Sequence, residues 1–168
     1  MKMISSMSVL VVPLLSGMAL AEGPSYEQTT QYITERCQGV EGGVAVNRHK
    51  MVAVAFDQAQ VILSKTSTGS SSKFSWRTKF DLRDVNINRH EADRGQGRGI
   101  DLGVAFTCGD NCIVVQTSSF TGKTLDGPPK DHRWPDDWLF CREADKVLKA
   151  FRHLQTLVGG KKQDLFGD

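Results

Sequence analysis

A dominant charge of one sign is the first thing this sequence lacks. Across 168 residues, 21 Lys and Arg stand against 19 Asp and Glu, a formal +2. That balance excludes bulk attraction to nucleic acid or to an anionic membrane as the main driving force for binding. A long apolar run is also missing. The most hydrophobic stretch, Ile4 to Leu15, is interrupted by Ser5, Ser6, Ser8 and Pro13 and followed by Ser16 and Gly17. It falls short of the roughly 20 apolar residues that span a bilayer, so stable membrane insertion is not expected. Internal repeats are absent, and 16 Gly, 5 Pro and 39% hydrophobic residues make up an ordinary globular composition. Collagen, coiled coil and wholesale disorder are excluded.

The usual catalytic and cofactor motifs are lacking as well. Gly122-Lys123-Thr124 has the ending of a phosphate-binding loop, but the Gly required five residues earlier is Thr117. In Gly95-Gln96-Gly97-Arg98-Gly99 the third Gly follows the second by two residues, where a dinucleotide fingerprint needs three. This segment reads as a mobile loop. His49, His90, His132 and His153 show no spacing that pairs two ligands on one strand or helix. Around His90-Glu91-Ala92-Asp93, Arg89 and Arg94 oppose a cation, so a solvated loop is expected there and no metal site. The Gly-x-Ser-x-Gly elbow of serine hydrolases is absent. No cofactor and no catalytic residue is assigned.

What is present begins with an export signal. Lys2, the short apolar run and Ala19-Leu20-Ala21 form the charged, apolar and small-x-small parts of a signal peptide cut after Ala21. No Cys lies near that cut to accept a lipid, and no twin Arg precedes the run. Cleavage leaves 147 residues, one domain over 22–160 with a polar tail at 161–168. The expected location is the periplasm or the medium.

Four cysteines remain, Cys37, Cys108, Cys112 and Cys141. An even number in an exported chain points to two disulfides, for which three pairings exist. Cys108 and Cys112 flank Gly109-Asp110-Asn111 between two β-type runs, as in a hairpin loop, and a bridge across that loop is sterically plausible. Cys37 then pairs with Cys141. Three intervening residues on a turn do not match the two-residue spacing of thiol oxidoreductases at a helix N-terminus.

Ser25 to Gln28 has the capping-box form, and Tyr26, Thr30, Ile33 and Cys37 follow at helical spacing, predicting a helix over about 26–37 that Gly39 ends. Seven strands are expected, at about 44–48, 51–56, 60–66, 73–81, 84–89, 100–107 and 112–118, with Asn47 to Lys50 as the first turn and Thr66 to Ser72 as a flexible loop. In the fourth, Phe74, Trp76, Thr78 and Phe80 alternate with Lys73, Ser75, Arg77 and Lys79, predicting one buried and one basic face. Ser119 to Pro135, with Gly127-Pro128-Pro129, reads as a surface connection. Asp136 and Asp137 are expected to open the last helix, whose stripe is Phe140, Ala144, Val147, Phe151, Leu154 and Val158. Gly159-Gly160 ends it.

Seven short strands followed by one amphipathic helix resemble, in element order over about 43–159, the pleckstrin-homology-like fold. That resemblance implies an α+β, bent antiparallel sheet or partly open barrel closed by the C-terminal helix. A simple antiparallel sheet with one helix on one face has the same element list. The segment from Ala144 to Gly160 also resembles the closing helix of small exported bacterial proteins of unknown function. Neither resemblance implies an activity.

Between Lys73 and Arg98, seven basic residues face four acidic ones. Arg77, Lys79, Arg89, Arg94 and Arg98 are therefore candidate contacts for an anionic or protein partner, with the competing reading of a charged edge that resists strand addition. Trp134 is a further candidate anchor, unless Trp134 or Trp138 is a staple folded onto the last helix. The expected function is a non-enzymatic exported binding or accessory domain of the bacterial envelope. The alternatives are a periplasmic inhibitor or immunity-type protein against a toxin or hydrolase, and a hydrolase whose site assembles in space. A His beside a carboxylate and a Ser in a cleft would favour the last.

Overall fold

The computed structural model describes residues 23–44, 47–69, 73–93, 100–120, 123–124 and 131–160. The expected signal peptide, Arg94, the loop from Gly95 to Gly99 with Arg98, the segment Gly127-Pro128-Pro129 and the tail 161–168 lie outside these residues.

Helix α1, Tyr26–Cys37, starts at a complete capping box: the Ser25 hydroxyl accepts from the Gln28 backbone N–H, and the Gln28 side chain accepts from the Ser25 N–H. These bonds satisfy two of the donors a helix start leaves free. Ile33 and Cys37 are fully buried, so α1 offers one narrow face to the core. Ten strands follow among the described residues: β1 (Glu41–Val44), β2 (Asn47–Asp57), β3 (Gln60–Gly69), β4 (Lys73–Asp81), β5 (Asn86–Asp93), β6 (Ile100–Thr107), β7 (Ile113–Phe120), β8 (Lys123–Thr124), β9 (Asp131–Trp134) and β10 (Asp136–Phe140). Helix α2, Ala144–Leu157, ends at Gly159, which takes the left-handed conformation.

The strands form two sheets and no closed barrel. The larger runs β1-β2-β3-β4-β7, with β8 and β9 both paired to β7; the smaller runs β10-β6-β5. Every described pairing is antiparallel. Val54, Val61, Leu63, Phe80, Ile113 and Val115 from the larger sheet meet Ile87, Val104 and Phe106 from the smaller one. Val147, Phe151 and Leu154 of α2 complete that core, with Phe151 edge-on to Phe106. Gln155 is buried yet satisfied, donating to the carbonyls of Leu82 and Val85 at 2.5 and 2.9 Å.

Several expectations are corrected. Asn47 to Lys50 do not turn; they belong to β2 and pair with β3. Thr66 to Gly69 continue β3 opposite β4, because Thr and Ser alternate there as readily as apolar residues. The Cys108–Cys112 segment is not a hairpin loop, since β6 and β7 lie in different sheets and the segment carries the chain from one to the other. Asp136 and Asp137 do not open α2. They lie in β10, which pairs with β6, and the helix starts only after Glu143, in the left-handed conformation with no side-chain cap. Within the expected surface connection, Asp131 to Trp134 form β9, paired with β7.

The structure pairs Cys37 with Cys141 and Cys108 with Cys112. The first bridge fixes the end of β10 to the end of α1. The second ties together the crossing between the sheets.

Candidate functional site

β4 lies inside the larger sheet, between β3 and β7. Its basic residues therefore do not guard an edge, which overturns the competing reading of that strand. Thr78 and Phe80 point into the core, and Arg77 and Lys79 are exposed on the outer face. Lys79 is opposite Val114 of β7, and Val114 is opposite Arg133 of β9. Directly opposed residues share a face, so Arg133 joins Lys79 in one row across three strands. Arg77 occupies the neighbouring row with Gln116 and Asp131.

Ile62 and Val114, both half-buried, help line a groove of about 550 Å³ along this face, together with Arg77, Lys79, Gln116 and Asp131. Two of its carboxylates are engaged already: Asp131 accepts from Gln116 at 2.7 Å, and Asp81 pairs with Arg83 at 2.6 Å. Arg77, Lys79 and Arg133 form no ion pair among the described residues. Sequence reading named Arg77 and Lys79 and missed Arg133. Only the pairing of β9 with β7 brings it to this face.

The other candidates fare differently. Arg89 on β5 is held by Glu91 at 2.8 Å and by Asp145 of α2 at 3.2 Å, so its charge is neutralised locally. Trp134 is 42% exposed on β9, opposite Ile113, and is not a staple on the last helix. Trp138 is not one either, since it sits on β10 between the sheets.

The structure also assembles a polar cluster that spacing along the chain does not reveal. Lys65 projects inward from β3 and is 4% exposed; Asp137 projects inward from β10 and is 2% exposed. They form an ion pair across the two sheets, and the Lys65 ammonium also donates to the Trp138 carbonyl at 2.8 Å. The same ammonium stands 5.6 and 5.5 Å from the ring centres of Trp76 and Trp138, within cation–π range. His49 of β2 meets both of those rings edge-on, and His90 of β5 stacks on Trp138 at 5.3 Å. His90 is thus part of strand β5 and packs across the smaller sheet on Trp138 of β10, not part of a solvated loop.

Burial pushes the Lys65 ammonium below its ordinary pKa, and Asp137 offsets part of that shift. Burial, then the nearby Lys65 charge, lowers both His49 and His90 as well. His49 Nδ1, Trp76 Nε1, Thr78 Oγ and one Asp137 oxygen are buried without a hydrogen-bond partner among the described residues. Ser67 is buried directly opposite His49 in the β2–β3 register. No described hydrogen bond links Ser67, a histidine and a carboxylate into a relay, and the Asp137 charge is directed at Lys65. The signal in the sequence was a phase: Val61, Leu63, Lys65 and Ser67 alternate on one side of β3, so a lysine stands where an apolar residue is expected.

Among the described residues no group of three or more His, Cys, Asp or Glu could hold a metal ion, and no helix is long and apolar enough to cross a membrane. Comparison with known proteins finds no matching family model, no matching curated protein and no matching solved structure.

Proposed function

We propose that this chain is a non-enzymatic binding domain of the bacterial envelope, exported by a signal peptide cut after Ala21, that engages an anionic partner through the outer face of its larger sheet. One observation carries the reading: Arg77 and Lys79 of β4 line one groove, and Arg133 of the remote strand β9 stands in the same row as Lys79, none of the three with an ion-pair partner among the described residues. Unpaired cations over half-buried Ile62 and Val114 favour a partner that is acidic and has some apolar surface. The two disulfides support an oxidising compartment. The pleckstrin-homology-like reading belongs to this proposal too. A C-terminal helix against two antiparallel sheets supports it, and the strands beyond seven depart from it.

The test is a pull-down from envelope extract with the oxidised protein at low and high salt. A stoichiometric acidic partner should be retained at low salt and released as salt rises. Replacing Arg77, Lys79 and Arg133 together by Gln should abolish retention while leaving the unfolding midpoint nearly unchanged, because all three are exposed. Retention by the folded triple variant would reject the face.

A further inference from the structure

Trp138 of β10 links the smaller sheet to β2 and β3 of the larger one. Its carbonyl accepts a hydrogen bond from Lys65 of β3, and its ring meets His49 of β2 and His90 of β5. The next residue back, Asp137, carries the counter-charge for Lys65. At the far end of β10 the chain is anchored covalently, since Cys141 is bonded to Cys37 of α1. β10 is therefore tethered covalently at one end and paired with β6 along its length, and what links its other end across to β2 and β3 is a buried ion pair with a histidine on either side of Trp138.

Those histidines face the ammonium, with few groups to receive a second proton. The neutral imidazole needs only one donor nitrogen, whereas the protonated ring must donate from both. His49 Nδ1 is buried without a partner, so a proton there creates a buried N–H that nothing described accepts. Of the groups that face the rings, Lys65 on β3 opposes the added charge, and Asp136 and Asp137 on β10 favour it. β4 presents Trp76 and Thr78, which carry no charge. On β6, Asp101 is buried and accepts from the Gly43 backbone N–H of β1, and the β1 carboxylate of Glu41 pairs with Lys50. Asp131 and His132 of β9 are exposed.

We propose that this seam is an acid-operated latch, in which protonation of His49 and His90 beside the Lys65 ammonium releases the Asp136–Trp138 end of β10 from β2 and β3. The sign follows from the direction in which the two rings are held. Both lie below their ordinary value of about 6.5, so their contribution is fully present above that pH and is lost as pH falls toward their folded values. Carboxylate titration is avoided by staying above about pH 5.

The experiment follows protection of backbone amides from hydrogen exchange in the oxidised protein at about pH 7 and about pH 5, a window that brackets the ordinary histidine value. Protection of Asp137, Trp138 and Leu139 should fall on acidification while that of Val61 and Leu63 in β3 is retained. A uniform fall across β3 and β10, or no fall at all, overturns the latch. The His49→Gln/His90→Gln double variant should lose the pH response, and His132→Gln/His153→Gln should keep it; the reverse also overturns the proposal. Should the double variant fail to fold, the ring-proton titration of the unsubstituted protein decides. His49 and His90 must both titrate below the ordinary histidine value of about 6.5, and a value at or above it for either rejects the latch.

Discussion

Lys65 occupies a position that the alternation of β3 assigns to an apolar side chain, and its stability there depends on Asp137. A buried ammonium without a counter-charge is expelled by solvation, whereas a pair roughly balances its own desolvation. Asp137→Asn preserves the shape and removes the charge. Denaturant unfolding should show a loss of about 3 to 5 kcal/mol. Lys65→Met/Asp137→Leu, which removes both charges, should be markedly more stable than Asp137→Asn. Equal losses would mean that the two side chains do not share one buried contact. At this scale the sequence was legible only as an anomaly of phase. That His49, His90 and Trp138 meet carried no mark, because ligand-type spacing along the chain is blind to residues that three different strands bring together.

Among the elements, α1 was readable because all its signals are local: a hydroxyl cap, a Gln three residues on, a 3.6-residue stripe and a following Gly. The stretch from Asp131 to Phe140 misled for the same reason. Two Asp residues before an apolar residue in phase with Ala144 and Val147 look like a helix start, yet they pair with β6, as Asp131 to Trp134 pair with β7. Nothing local distinguishes a short strand from a first helical turn when the deciding partner is a remote strand. β10 lies so close to β6 that a Cβ on Gly103 would run into the Leu139 carbonyl. Gly103→Ala should therefore lower stability by about 1 to 3 kcal/mol, read as a shift in the denaturation midpoint. Gly109→Ala, which meets nothing within 4 Å, serves as the control and should stay within about 0.5 kcal/mol. A neutral Gly103→Ala would show that the two strands are farther apart.

For the whole molecule, the bridges differ in what they restrain. Cys37 and Cys141 are separated by 104 positions in sequence, and Cys108 and Cys112 by 4. On the chain-entropy account, closing the long loop is worth about 4 to 5 kcal/mol and the short one about 2 kcal/mol. Replacing Cys37 and Cys141 by Ala should lower the thermal midpoint well beyond the effect of replacing Cys108 and Cys112. The opposite order would place the main restraint at the sheet crossing. The long bridge also sets the geometry of the proposed latch, because it holds the Phe140 end of β10 covalently.

The sequence by itself determined what short-range periodicity encodes: α1, the two-faced β4 with Arg77 and Lys79 outward, and the apolar stripe of α2. Only the tertiary structure decided that β4 is an interior strand, that Arg133 stands beside Lys79, and that Lys65 meets Asp137 between two histidines. The physical reason is that a helix satisfies its backbone hydrogen bonds within its own turns, whereas a strand borrows them from a remote segment. Which segment is borrowed depends on burying both sheets and closing long loops at once, and that balance is a property of the whole chain.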